Sequence, residues 1–245
     1  MTVGGRLGRH ILYGFPLAGR QAGSGCRPPL RPRTYAASVQ ISTGSGVALA
    51  DLSEPARPAG QAGPAGPGFL LVLTHGASGG VGTPDLLAVR DTAAQLGGTV
   101  ALVTQPYRVR GARAPGSPER QDAAWLEIIE VLRAGFPGIP LIQGGRSNGA
   151  RVACRTARAA AARAVLALAF PLHPPGRPER SRAAELRAAG AEVLAVSGDR
   201  DPFGVPASAD ASKVVVLPGE AHALSRNPAA VAGPVRSWLR EVLAL

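Results

Sequence analysis

The chain has 245 residues, of which 45% are hydrophobic and 18% charged; this excludes a disordered or fibrous protein and suffices for a large core. Its longest strongly apolar run, AVLALAF, is far short of the roughly 18 residues of a membrane-spanning helix, so no membrane association is expected. The formal net charge of +11 invites a nucleic-acid role, but no base-reading motif or aromatic platform accompanies it, and none is expected.

The charge is lopsided. Arginine supplies every positive side chain except Lys213, and Ala, Gly and Pro are inflated with it, as GC-rich codons would produce. Residues 1–33 hold Arg6, Arg9, Arg20, Arg27, Arg31 and Arg33 and no acid; setting these six aside leaves +5. The segment superficially resembles an organellar transit peptide, while Gly14 and Pro16 interrupt the apolar stretch that a secretory signal needs. Residues 1–34 are read as a disordered extension, or as the product of a start codon placed upstream of the true one. The folded domain is expected over 35–245.

Next come ASVQIST and GVALADL, two short alternating strands that suggest a hairpin around Gly44 and Gly46. SEPARPAGQAGPAGPG, at 53–68, is a Pro/Gly-rich loop. From there the apolar runs FLLVLTH, TVALVTQ, PLIQGG, AVLALAF, EVLAVSG and KVVVLPG alternate with helical patterns over 84–97, 119–134, 148–162, 179–189 and 228–243, with a short one near 206–211. Runs that are apolar at every position belong to strands buried on both faces, so the expectation is an open, mostly parallel α/β sheet with helices on both sides. In such sheets ligands bind at the carboxyl ends of the strands. The segments 75–80, 144–149, 198–201 and 219–222 all fall there. Cys26 lies in the extension and Cys154 in a helical pattern that should be buried, which argues against a disulfide and for a reducing, cytoplasmic setting. No Cys/His spacing suits zinc, and neither a metal nor a cofactor is expected.

Two segments match G-x-S-x-G, the pattern of the serine-hydrolase nucleophile turn: Gly76 to Gly80 around Ser78, and Gly145 to Gly149 around Ser147. That turn passes straight from strand into helix and needs small neighbours. PLIQGG ends directly before Ser147, and NGARVACRTARAAAAR starts a helix directly after it, with Gly145, Gly149 and Ala150 supplying the small residues. Behind Ser78, three more glycines and a proline intervene before the next helix. Ser147 is therefore the candidate nucleophile. Without partners it would be no more than a serine capping a βα turn.

A serine hydroxyl needs a histidine to take its proton and a carboxylate to hold that histidine's tautomer. SGDRDPFG follows the run EVLAV and LPGEAHAL follows KVVV, which gives the order Ser, Asp, His. Asp201 is the candidate acid, with Asp199 as the alternative, and His222 is the candidate base. His10 and His173 lack such a setting; His173 is read as a loop residue, its other use being the rim of the site. Arg146 is read as solvated surface, with contact to a substrate acid as its other use.

Together His75-Gly76-Ala77, GGRSNGAR, SGDRDPFG and GEAHAL resemble the α/β-hydrolase fold: a mostly parallel central sheet with helices on both faces. More closely they resemble its small dienelactone-hydrolase-related branch, which includes a testis-expressed hydrolase-like group and a subunit group of a histone-acetyltransferase regulatory complex. The resemblance covers residues from about 36 to 245. It implies Ser147 as nucleophile, Asp201 as acid and His222 as base, with the backbone N–H groups of Ala77 and Asn148 as the oxyanion hole. His75 is then structural, shaping the oxyanion loop. Asn148 stands where close relatives often carry Met, and serine replaces the cysteine nucleophile of dienelactone hydrolase, so that enzyme's substrate does not carry over. Only LHPPGRPE separates AVLALAFP from the helix near 179, which leaves no room for a lid domain. The expected activity is hydrolysis of small soluble esters or thioesters. The alternative is a noncatalytic scaffold of the same fold that binds a protein partner.

Overall fold

A computed structural model describes residues 37–56 and 68–245. The arginine-rich extension and most of the Pro/Gly-rich loop lie outside these residues. β1 (Ala37–Thr43) and β2 (Gly46–Ser53) form the expected hairpin, with Gly46 at φ 109° in its turn. β3 (Phe69–Thr74), β4 (Gly98–Thr104), β5 (Leu141–Arg146), β6 (Ala164–Leu168), β7 (Glu192–Gly198) and β8 (Lys213–Leu217) follow the apolar runs. They make one eight-stranded sheet in the order β1-β2-β4-β3-β5-β6-β7-β8. The pairings β1–β2 and β2–β4 are antiparallel, and the others are parallel.

Side chains alternate across each strand, so the sheet feeds two layers of core. Phe69, Leu71 and Leu73 point into one layer with Val100, Leu102 and Leu166, covered by α1 (Pro84–Gln95) and α6 (Pro228–Leu243). Leu70 and Val72 point into the other with Ala101 and Val103, beneath Trp125, Ile128 and Ile129 of α3 (Pro118–Ala134). α4 (Asn148–Thr156) and α5 (Ala183–Arg187) extend that second side over Val165, Ala167 and Phe170. Gln143, buried within β5, is fully engaged. Its oxygen accepts from Trp125 Nε1 at 2.9 Å, and its amide donates to the Ala153 carbonyl at 2.7 Å and the Thr156 hydroxyl at 3.2 Å. These bonds fasten β5 to α3 and α4.

Several elements depart from the sequence expectation. The helix read over 148–162 ends at Thr156, and hydrogen-bonded turns follow, with Ala161 at φ 47°. The alanines favour helix, but the chain must reverse so that the Arg163 N–H reaches the Leu141 carbonyl at 2.8 Å and β6 can begin. The helix read over 179–189 shortens to α5, and the one near 206–211 is a 3-10 turn at Ser208–Asp210. A four-residue helix, α2 (Pro106–Val109), had no periodic signal. β8 reads as apolar throughout yet is the sheet edge, and Val216 is exposed. Cys154 is a buried free thiol, and burial pushes its pKa up to about 12. Among the described residues, no helix is long and apolar enough to cross a membrane.

From β3 the chain crosses to β4 on one side and then to β5 on the other. The reversal makes the carboxyl ends of β3 and β5 the switch point, where open α/β sheets bind ligands. Close packing of β5 on β6 supports this point: a Cβ on Gly144 would overlap the Leu166 carbonyl oxygen. Gly144→Ala should therefore cost about 1–3 kcal/mol of unfolding free energy, read from the urea midpoint; an unchanged midpoint would contradict the packing.

Candidate active site

β5 passes into α4 at Ser147, whose backbone sits at φ 54°, ψ −115°. A non-glycine residue in this region is strained by roughly 1–3 kcal/mol. The surroundings hold it there. The Ser147 N–H donates to the Leu168 carbonyl at 2.9 Å, and the flanking glycines leave no room for side chains. A Cβ on Gly145 would stand 2.6 Å from the Thr74 oxygen, and one on Gly149 would stand 2.7 Å from the His75 oxygen. This is a nucleophile elbow. Ser78, in contrast, lies in a turn of the loop between β3 and α1.

His222 Nε2 is 2.9 Å from Ser147 Oγ, and its Nδ1 lies 2.8 and 3.0 Å from the two Asp201 oxygens. With Nδ1 donating to the carboxylate, Nε2 is left to accept the serine proton. The Asp201 side chain is fully buried and also accepts the Phe203 N–H at 2.9 Å. Phe203 lies against the His222 ring, centroids 4.2 Å apart. Asp199 does other work: it accepts the Gly219 N–H at 2.7 Å and ties β7 to the loop after β8. Glu220, two residues before the histidine and buried, accepts the N–H groups of Asn227 at 2.6 Å and Arg226 at 3.2 Å. It thereby closes the loop that carries His222 onto the start of α6.

The loop after β3 is built around a buried, neutral histidine. The His75 Nε2 accepts the Gln105 N–H at 3.1 Å, so its proton is on Nδ1, which donates to the Gly76 carbonyl at 2.8 Å. The Tyr107 hydroxyl donates to the Ala77 carbonyl at 3.1 Å and lies 3.4 Å from that of Gly76. In a trans peptide the N–H and C=O point opposite ways. With the Gly76 oxygen turned toward His75, the Ala77 N–H points away from the His75 ring. Asn148 opens α4, so its N–H belongs to the first turn, whose amides have no intrahelical partner. Its side chain donates to Gln121 Oε1 at 2.7 Å. Gly76 stands beside the elbow, since a Cβ there would be 3.2 Å from Ser147 Cβ.

Arg146 departs from its reading as solvated surface. Its side chain is only 14% exposed. One nitrogen donates to the His222 carbonyl at 2.8 Å, and Nε lies 3.1 Å from Asp85 Oδ2. Asp85, in the first turn of α1, is fully buried; burial pushes its carboxyl up, with the Thr83 hydroxyl and then Arg146 pulling it back. His173 is a loop residue that packs where Gly204, at φ 84°, has no side chain. Tyr107, Phe203, Glu220 and Asp85 carried no signal that sequence reasoning used. Glu220 alone was exposed to discovery, as an acid in a loop just before the candidate base.

The α/β hydrolase domain family matches residues 67–222, which span the elbow and the histidine. The chain belongs to that family. No curated protein matches it in sequence. Among solved structures, this α/β hydrolase is similar to an α/β serine hydrolase without lid from Xanthomonas campestris, at TM-score 0.64 and 21% identity over 87% of this chain and 97% of that one. Dienelactone hydrolase from Anabaena variabilis gives 0.63 and 19%, over 84% and 96%. A highly thermostable carboxyl esterase from Bacillus coagulans gives 0.65 and 10%, over 84% and 98%. The α/β hydrolase likewise has no lid: 14 residues, 169–182, join β6 to α5.

Two measurements test this geometry. Ser147→Gly should be more stable than Ser147→Ala by about 1 kcal/mol in urea unfolding, because only glycine is relaxed at this φ; the opposite order would remove the strain. Burial lowers the pKa of His75 below its ordinary value, against the raising effect of its bond to Gly76. As pH falls below about 6.5 the unfolded chain takes up a proton that folded His75 refuses, so stability is lost toward acid. The loss should reach at most about 1.4 kcal/mol per pH unit and be absent from His75→Asn, which unfolding midpoints between pH 7 and 5 would reveal.

Proposed function

We propose that this α/β hydrolase cleaves carboxylic esters or thioesters of small substrates through an acyl-enzyme. The observation that carries the reading is the unbroken relay from Ser147 Oγ to His222 to the buried Asp201. Ser147 Oγ attacks the acyl carbon while His222 Nε2 takes its proton, and Asp201 stabilises the imidazolium. The tetrahedral oxyanion is met by the N–H groups of Ala77 and Asn148; removing one such donor costs about 3 kcal/mol of barrier by precedent. His222 then protonates the leaving alcohol or thiol. Water, deprotonated by the same histidine, attacks the acyl-serine and frees the acid.

The turned peptide after Gly76 and the opening of α4 beside Ser147 support the two oxyanion donors. The short β6–α5 connection favours substrates that need no covered hydrophobic channel. Assignment to the dienelactone-hydrolase-related branch rests on the four motif blocks. Residues 35–245 constitute the hydrolase domain. A reduced, cytoplasmic setting agrees with the free Cys154.

A fluorophosphonate probe should label Ser147, as located by peptide mapping, and spare Ser78. His222→Ala should abolish labelling and lower kcat on p-nitrophenyl acetate by roughly 10⁴-fold or more. Folded protein that takes no label would sink the reading and favour a binding scaffold.

A further inference from the structure

The mechanism above leaves one buried charged pair unused. Asp85 is completely buried; the Thr83 hydroxyl and the first-turn amides of α1 face its carboxylate, and Arg146 at 3.1 Å is its charged partner. A buried carboxylate is costly even when paired, and calls for a reason. Here the reason lies at the other end of the guanidinium. Arg146 is the x of the G-x-S-x-G elbow, and its backbone is fixed by the end of β5. A guanidinium is a rigid fork with donors in set directions. In Arg146 one nitrogen meets Asp85, a second donates to the main-chain carbonyl of His222, and the third lies beside Gly76, 3.5 Å from where a Cβ would stand.

We propose that Arg146 is a positioning residue, held by Asp85, that sets His222 and the oxyanion loop at their working distances from Ser147. The proposal rests on the serine-hydrolase reading. The His222 ring is oriented by Asp201, Ser147 and Phe203, but these contacts do not fix its backbone. Glu220 pins the loop at Arg226 and Asn227, beyond the histidine. Among the described residues, Arg146 provides the one side-chain hydrogen bond to the His222 main chain. Asp85 acts through Arg146. Without its counter-charge, a largely buried guanidinium is drawn toward solvent and leaves the carbonyl. One fork thus gauges nucleophile, base and oxyanion loop against each other, and touches no substrate.

The test compares Arg146→Met, Arg146→Lys and Asp85→Asn on p-nitrophenyl acetate, with folding checked by near-UV circular dichroism. The methionine variant should lose kcat by roughly 10- to 100-fold, the scale of a small misplacement of reacting groups, with KM within about twofold of wild type. Lysine, a single point charge, should recover part of the loss, and Asp85→Asn should reproduce most of it. If the methionine variant does not fold, the lysine and asparagine variants decide. A folded Asp85→Asn or Arg146→Met protein with kcat within twofold of wild type overturns the proposal, as does an equal rise in KM that accounts for the loss. A second readout does not depend on turnover. The downfield proton resonance of His222 Nδ1, assigned by its absence in His222→Ala, should be present in wild type and lost to solvent exchange in Arg146→Met. An unaltered resonance overturns the strut, whereas failure of wild type to take the fluorophosphonate label overturns the hydrolase reading instead.

Discussion

Everything in the site is referred to the place where β3 and β5 leave the sheet side by side. Thr74 pairs with Gly145 in register, and the two chains then diverge within the space of a few atoms. Gly145 and Gly149 exist because backbone from β3 occupies the volume that their side chains would need. That crowding holds Ser147 in its strained positive-φ conformation at the sheet's end. The same closeness brings Gly76 against Ser147, so the nucleophile and the loop after β3 are neighbours as a result of strand pairing. Base and acid arrive from farther away, on loops after β8 and β7, and need separate devices to hold them.

Those devices are polar and buried. His75 fixes its own tautomer between Gln105 and Gly76, and so fixes which way a peptide group faces. Tyr107, whose pKa burial raises to about 12, stays a neutral donor and reinforces the same peptide. Glu220 does for the His222 loop what a capping side chain does for a helix, meeting two N–H groups that would otherwise be left open. Each costs desolvation and offsets it with hydrogen bonds of defined direction, which hydrophobic contact does not supply.

The strands were legible because burial on both faces leaves uninterrupted apolar runs, and the order of the elements followed from their alternation. The elbow was legible because its steric demand is met by glycines that stand next to one another in sequence. The supporting residues were not. Asp85 and Arg146 are 61 positions apart in the chain, and an arginine within a motif reads as surface until a buried partner is found. Tyr107 sits in a four-residue helix too short to show a period. β8 misled in the other direction: its valines read as core, but among the described residues no strand pairs with its outer side, since register and sheet order are properties of the whole assembly. Asp201 and Asp199 were both left open by the sequence, and what separates them is which loop each carboxylate reaches.

The placement of the three groups across the sheet also divides them by depth of anchorage. Ser147 ends a strand flanked by neighbours on both sides, whereas His222 hangs from the rim strand, whose own residues are mostly part-exposed. Opening events that cost less than global unfolding begin at such margins. On warming, the base would be released while the elbow and the inner strands were still intact. The protein would then pass through a folded, inactive condition in which the serine is present but has lost its proton acceptor, and cooling would restore it without refolding the core.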